Sequence, residues 1–337
     1  MKNIIGITMG DPRGIGPEIV AKAWKTLSEE ERDQVLIYGD HSVLDQAAML
    51  ASTEFDPKHL VTTSSASGSA TNLSDAEAAR TALSAIDAAV EDIKSGKISA
   101  IVTAPVNKHR IQSILPHFLG HTEYLAKATG LREPTMMFCS EGKMHVDAFF
   151  QLAKRLCVSL VTMHLPIKNV AKSITKERVL STIRRTHKAL DEYFACPDAR
   201  IAVMALNPHA GEGGSIGHED DKFIAPAVIA AEDEGINCVG PIPADSLFNK
   251  MVDFDYDAVV AMYHDQGLLP VKLLCQGRCV NITLGLPYIR TSPSHGTAED
   301  MAWLGQADHE NMVATIHLTR ALVGWKVNDN QQGQQSK

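Results

Sequence analysis

The sequence predicts an α/β fold in which parallel strands alternate with crossover helices. Two observations carry that prediction. Short β-branched runs end in Gly, Pro or polar turns, and each is followed by a stretch of helical periodicity. The alternation runs through both halves of a 337-residue chain, a length that suits two domains or one large α/β unit.

The elements follow in order. Asn3–Met9 is an apolar run that enters the loop Gly10-Asp11-Pro12-Arg13-Gly14-Ile15-Gly16. Pro17 suits the first position of a helix that carries Ile19, Ala23 and Leu27 on one side. Val35–Tyr38 is a second strand. Ser74 and Glu77 form a capping-box pattern, followed by Ala79, Leu83, Ile86, Val90 and Ile93 at helical spacing, with Gly96 as the stop. Ile98–Thr103 is a strand, and Cys157–Met163, Arg200–Leu206 and Asp257–Tyr263 repeat the grammar. Residues 328–337 are polar and Gln-rich and read as a frayed tail.

Composition bounds the function. Hydrophobic residues make up 45% and charged residues 21%, which supports a sizeable core. The formal charge of −8, without a Lys/Arg run, excludes a general grip on nucleic acid or an anionic membrane, so any anion-binding cations must be local. No apolar run has membrane-spanning length, and the N-terminal strand is too short for a signal peptide. The six cysteines are scattered without a CxxC pair, which fits buried thiols and a cytoplasmic setting.

Three strands end in the same way. Val161-Thr162-Met163 runs into His164, Met204-Ala205-Leu206 into Asn207-Pro208-His209, and Ala261-Met262-Tyr263 into His264-Asp265-Gln266-Gly267. Ligands of open α/β sheets bind beyond the carboxyl ends of strands. A single histidine there is ordinarily a satisfied loop residue, and the chain has 14. Three at equivalent positions point instead to a divalent metal, Zn²⁺, Co²⁺ or Mn²⁺ ahead of Mg²⁺, with coordination positions left for substrate. Asp245 and Asp265 are candidate carboxylates to orient those rings, or else turn-forming residues. Lys272, Asn281 and Arg290 lie amid apolar neighbours and suit a phosphate or carboxylate, the alternative being snorkelling surface side chains. Asp245, Asp265 and Lys272 are the candidate catalytic groups, with the general base an Asp or Lys near the metal. Residues 207–214 and 294–298 are small-residue loops that admit a ligand to the backbone. The Gly10–Gly16 loop is neither GxGxxG nor a Walker motif, so a standard Rossmann or P-loop site is not supported.

With these residues assembled, the chain resembles the 4-hydroxythreonine-4-phosphate dehydrogenase family of vitamin B6 biosynthesis, within the isocitrate/isopropylmalate dehydrogenase-like α/β/α fold. The likeness spans Gly10-Asp-Pro-x-Gly-Ile-Gly-Pro-Glu18 to about Ala314. It includes Thr103-Ala-Pro-Val-Asn-Lys108, Gly120-His-Thr-Glu123, Asn207-Pro-His-Ala-Gly-Glu212, Tyr263-His-Asp-Gln-Gly267, Val280-Asn-Ile-Thr-x-Gly-Leu-Pro287 and His295-Gly-Thr-Ala298. The resemblance implies two subdomains flanking an active-site cleft: residues 1–128 with 275–337 on the cofactor side, and 129–274 for metal binding and dimerisation. It implies that His164, His209 and His264 bind the metal at a homodimer interface, with Asp245 and Asp265 in support. His121, Thr122, Lys272, Asn281 and Arg290 would contact a small phosphorylated hydroxy acid. Gly10, Asp11, His295, Gly296, Thr297 and Ala298 would hold NAD or NADP. The implied reaction is NAD-dependent oxidation of a 4-phosphorylated 3-hydroxy acid, with decarboxylation.

Departures mark the neighbouring branches. Ala302-Trp303 resembles the branch that acts on 4-phospho-D-threonate or 4-phospho-D-erythronate. Arg13 stands where the family usually has a small residue, Pro293-Ser294 replaces a usual x-Asp, and the segment from Ser140 to Cys157 is long. The terephthalate dihydrodiol branch is disfavoured because the Gly120-His-Thr motif and the Lys272, Asn281 and Arg290 set are intact. Outside the family, a metal-dependent hydrolase or aldolase, or a sugar-phosphate binding protein, could use some of the same residues; only the dehydrogenase needs a nicotinamide.

Overall fold

The computed structural model describes residues 3–64, 68–140, 144–147, 150–152, 155–252, 255–275 and 277–335. Its strands, in chain order, are β1 (Ile5–Thr8), β2 (Val35–Asp40), β3 (Leu60–Ser64), β4 (Ala100–Thr103), β5 (Thr135–Ser140), β6 (Met144–Asp147), β7 (Phe150–Leu152), β8 (Cys157–Leu160), β9 (Ile201–Met204), β10 (Cys238–Ile242), β11 (Ala258–Ala261), β12 (Cys279–Leu284) and β13 (Ile289–Pro293). The chain divides into two compact units: Met1–Pro134 with Leu286–Gly324, and Thr135–Gly285 with Trp325–Lys337.

The first unit carries strands in the order β13-β4-β1-β2-β3, every neighbouring pair parallel. Each residue of β1 and β4 is buried, as expected of parallel strands covered on both faces. The helix Asp75–Lys94 begins at the capping box: Ser74 Oγ accepts from the Glu77 amide, and the Glu77 carboxylate accepts from the Ser74 amide at 2.9 Å. Its Ala85, Ile86, Ala89 and Val90 join Tyr38, Ile98, Ile101 and Leu125 in one apolar cluster. Leu83 and Ile93, on the predicted apolar stripe, lie at the half-buried margin of the packing.

The second unit is mixed. β10-β9-β11-β8 are parallel, but β5 runs antiparallel to both β8 and β12. The expectation of parallel strands throughout therefore fails at β5, and the reason lies in the connection. Between β5 and β8 the described residues form the antiparallel pair β6 and β7 rather than a crossover helix, so the chain returns in the opposite direction. Residues 141–143, 148–149 and 153–154 of this long segment lie outside the described residues. Pairing of β12 with β5 extends the second unit to Gly285, beyond the boundary near 274 expected from the sequence, and the first unit runs to Pro134 rather than 128.

Two further differences appear. The polar C-terminal stretch continues the helix Glu310–Gln335, because Gln, Asn and Lys tolerate helical backbone when no Pro intervenes. The scattered cysteines are all free thiols, yet the β5–β8 register brings Cys139 Sγ within 2.8 Å of Cys157 Sγ. Among the described residues no helix is long and apolar enough to cross a membrane.

Candidate functional site

In the first unit, β13 carries a buried cation bonded to β4, and the helix after Gly120 brings a half-buried imidazole near it. Arg290, only 2% exposed, donates from Nη2 to Thr103 Oγ1 at 2.6 Å. Burial lowers its guanidinium to about 10, with the charge of Glu123 opposing, so it stays protonated at neutral pH. His121 and Thr122 open the helix His121–Thr129. Thr122 is buried, and His121 Nε2 is buried without a hydrogen-bond partner. Burial first, then the charges of Arg290 and Lys108, push the His121 pKa well below the ordinary histidine value, so this ring is neutral. A buried polar atom without a partner asks for an explanation, and a ligand oxygen is one.

The two loops expected to hold the cofactor meet in the same unit. Ile15 N donates to Thr297 O at 2.9 Å, and the Trp303 indole donates to Pro12 O at 3.0 Å. Contact is tight enough that a Cβ on Gly14 would lie 3.0 Å from the Thr297 Cβ. Gly10, at φ 78°, lets the chain pass the 103–108 motif, and Asp11 N then donates to Pro105 O at 2.8 Å. Ala298 holds a positive φ. His295 Nδ1 lies 3.1 Å from Gly296 O, and its Nε2 is buried without a partner, as is Asn311 Oδ1. Asn311 Nδ2 donates to Ser294 Oγ at 3.1 Å. Ser294, one of the departures, is thereby tied to the last helix.

Asp11 is engaged by protein groups. Its carboxylate accepts from Arg13 N at 2.8 Å and pairs with Arg110 Nη1 at 2.9 Å. Arg110 also pairs with Asp75 at 3.0 Å and with Glu299. Arg13, the other departure in this loop, pairs with Asp75 at 2.6 Å. Arg110 is absent from the sequence-based candidates; the available signal was a basic residue beside apolar Ile111, directly after the Thr103–Lys108 motif.

In the second unit, β8 and β11 are neighbours, and their carboxyl ends are laced by Val161 N to Ala261 O at 2.9 Å and Thr162 N to Met262 O at 3.1 Å. This register sets the rings of His164 and His264 side by side, with centroids 5.6 Å apart. His264 Nδ1 and Asp265 Oδ1 lie 2.7 Å apart, so the carboxylate fixes that ring. His209 follows β9 in a turn with a run of positive φ from His209 to Gly214. Buried Asp220 holds the start of this turn, accepting from Leu206 N at 2.7 Å and Asn207 N at 3.1 Å. Gln266 links the ends of β9 and β11, donating to Ala205 O and accepting from Met262 N, each at 2.7 Å. The roles of Asp220 and Gln266 were not readable in the sequence because their bonds go largely to backbone atoms beyond the ends of β9 and β11.

Thus His164 and His264 are brought together. Within one chain, no group of three or more His, Cys, Asp or Glu side chains among the described residues is disposed to hold a metal, and His209 is not gathered with the pair. Asp245 bonds the Ser246 amide at the start of its own helix. Lys272 is exposed on the helix His264–Cys275. Asn281, in β12, is buried, with Oδ1 lacking a partner.

The fold and these side chains define an α/β protein with a buried cation, an unpartnered imidazole nitrogen and two docked loops in one unit, and paired imidazoles at neighbouring strand ends in the other. The chain belongs to the family of the pyridoxal phosphate biosynthetic protein PdxA, whose profile matches residues 31–319. A 4-hydroxythreonine-4-phosphate dehydrogenase of Geobacter metallireducens is 41% identical over 344 residues, covering 93% of each chain. One from Sulfurihydrogenibium sp. is 36% identical over 326 residues, covering 93% of this chain and 96% of the relative. The crystal structure of the 4-hydroxythreonine-4-phosphate dehydrogenase from Klebsiella pneumoniae superposes with a TM-score of 0.80 at 34% identity, covering 95% of this chain and 99% of that one.

Proposed function

We propose that this chain is an NAD-dependent dehydrogenase of the 4-hydroxythreonine-4-phosphate type, which oxidises the CH–OH group of a 4-phosphorylated 3-hydroxy acid and releases CO₂. The observation that carries the reading is the pairing of buried Arg290 with His121, whose buried Nε2 has no protein partner. A permanent cation and a neutral ring in its Nε2–H tautomer suit a phosphate oxygen, and the dehydrogenase relatives supply the reaction class. Thr122, Lys272 and Asn281 complete the proposed substrate contacts.

NAD fits the docked loops of the first unit. His295 Nε2 and Asn311 Oδ1 are buried polar atoms still able to bond a ligand, and the Gly10–Gly16 and His295–Ala298 backbones admit close approach. We assign the adenosine end of the dinucleotide to this place, in keeping with an isocitrate/isopropylmalate dehydrogenase-like organisation.

A divalent transition metal fits the second unit. His164 and His264 offer adjacent imidazoles, and Asp265 occupies His264 Nδ1, leaving Nε2 as the donor. We assign His209 as the third ligand and a second copy of the chain as the completing element. Leu269 and Leu273 support that assignment: they are 70% and 75% exposed, one turn apart on the helix that His264 opens. When bound, the metal supplies Lewis acidity that eases deprotonation of the substrate hydroxyl. The chain's own part is positional. Arg290 and His121 would anchor the phosphate away from the reacting carbon, and the loops would hold the adenosine end of NAD, whose nicotinamide would supply the hydride acceptor. The hydroxyl proton passes to an Asp or Lys nearby, for which Asp245, Asp265 and Lys272 are the candidates.

A second reading is favoured by Trp303, the branch-like residue: 4-phospho-D-threonate or 4-phospho-D-erythronate as substrate. NADH formation with 4-phosphohydroxy-L-threonine, 4-phospho-D-threonate and 4-phospho-D-erythronate, with Zn²⁺, Co²⁺ or Mn²⁺ added, tests both. The expected result is metal-dependent reduction of NAD with the L-threonine derivative. Reduction with only the D-substrates would transfer the assignment to the second reading, and no reduction with any would discard the dehydrogenase.

A further inference from the structure

We infer that Arg110 is a positioning residue for the dinucleotide, clamping the Gly10–Gly16 loop to the segment that follows the His295–Ala298 loop. The inference rests on the cofactor reading above and adds a device that no catalytic motif contains. Arg110 is 6% exposed, yet its guanidinium meets three carboxylates from three distant parts of the chain: Asp11 at 2.9 Å, Asp75 at 3.0 Å and Glu299. Two of the three belong to the docked loops. Asp11 lies inside the first loop, where its carboxylate also accepts from the Arg13 and Asn107 amides. Glu299 directly follows Ala298 and is held a second time by Asn107 Nδ2.

The guanidinium geometry makes this a clamp rather than a surface ion pair. Nη1 goes to Asp11, Nη2 to Glu299 and Nε to Asp75, so each carboxylate takes a different nitrogen of one rigid fork. A lysine could satisfy one of these carboxylates at a time. Burial alone would lower the Arg110 pKa, but Asp11 and the hydrogen bonds to Glu299 and Asp75 raise it overall, and the same pairing lowers that of Glu299. The Arg110 guanidinium therefore stays protonated at neutral pH. Direct contacts between the loops are few and mostly backbone: Ile15 N to Thr297 O, and the Trp303 indole to Pro12 O. Arg110 is the charged link that fixes their separation, and through it the position of His295 and Thr297.

Binding of NAD to wild-type protein, Glu299→Gln, Arg110→Lys and Arg110→Met by isothermal titration calorimetry, with steady-state kinetics beside it, tests the clamp. Glu299→Gln removes the charge from the link to one loop while sparing the Asp11 pair, so it is the decisive variant; Arg110→Met strands buried Asp11 and can fail to fold. For Glu299→Gln the Kd and KM for NAD should rise about tenfold, the effect of one lost charge-assisted hydrogen bond, with kcat, the KM of the phosphorylated substrate and Tm nearly unchanged. Arg110→Lys should fall between Glu299→Gln and Arg110→Met. An unchanged NAD affinity in Glu299→Gln overturns the clamp, as does a fall in kcat alone or an affinity loss that appears only with a collapse in Tm. Wild-type protein that binds no NAD would remove the cofactor reading itself and the clamp with it; wild type and Glu299→Gln binding NAD equally would remove the clamp alone.

Discussion

The two units hold their polar groups in opposite ways. In the first, the buried side chains form two separate pairs, Arg290 with Thr103 and Arg110 with Asp11, each made within the chain. In the second, Asp265 is 74% exposed, Lys272 is exposed, and of three strand-end histidines only two meet. A preorganised pocket fixes its ligand at little cost on binding, whereas open imidazoles await something that gathers them. That contrast motivates the proposed division, in which the phosphate anchor and the cofactor loops are assigned to the first unit and the metal to the second.

The largest expected effect attacks the open half. His209→Ala should lose metal binding and turnover by more than the roughly hundredfold that removing an outer-sphere partner costs, while its circular dichroism spectrum stays that of the wild type. Full activity in that variant would mean that His209 never joins the pair, and the contrast would lose its second term. Next comes the closed half. Arg290→Ala should raise KM for a phosphorylated substrate roughly 10- to 100-fold, the worth of one or two charge-assisted hydrogen bonds, with kcat much less affected. Equal KM values would show that the buried cation serves the fold only.

The smallest effect concerns His121. Its folded pKa lies below the unfolded value, so the unfolded chain takes up a proton first as pH falls. Stability from keeping this ring neutral is complete above about 6.5 and declines below it, by up to about 1.4 kcal/mol per pH unit until the folded pKa is reached. In urea titrations, His121→Gln should therefore lose stability less steeply than wild type below that pH. Parallel slopes would mean that His121 is not desolvated as described.

Much of this was legible in the sequence, and what was legible shares a physical basis. Local signals survived: the Ser74–Glu77 capping box, the helix it opens and the alternation of buried strands all rest on short-range spacing. The strand-end positions of His164 and His264 were also readable, but not that their strands are neighbours, which is what sets the two rings side by side. Non-local choices were not. β5 reads like any other apolar run, and only the return through β6 and β7 makes it antiparallel. The pairing of the Asp11 carboxylate with Arg110, about a hundred residues away in the sequence, has no local signal. Asp220 and Gln266 bond backbone atoms that no side-chain pattern advertises. The specific roles of Asp245 and Lys272 rest on the family resemblance, since nothing in their own spacing distinguishes a functional group from a turn residue or a solvated cation, whereas His209 was singled out by its strand-end position.

The indole of Trp303 has a practical consequence. Its N–H rests on the Pro12 carbonyl at 3.0 Å, where the Gly10–Gly16 loop meets the segment after Ala298, and the chain contains only three tryptophans. Indole emission shifts with hydrogen bonding and solvation, so this side chain is a built-in optical probe. Light emitted from that junction would follow the opening and seating of the loops in real time, in unlabelled protein.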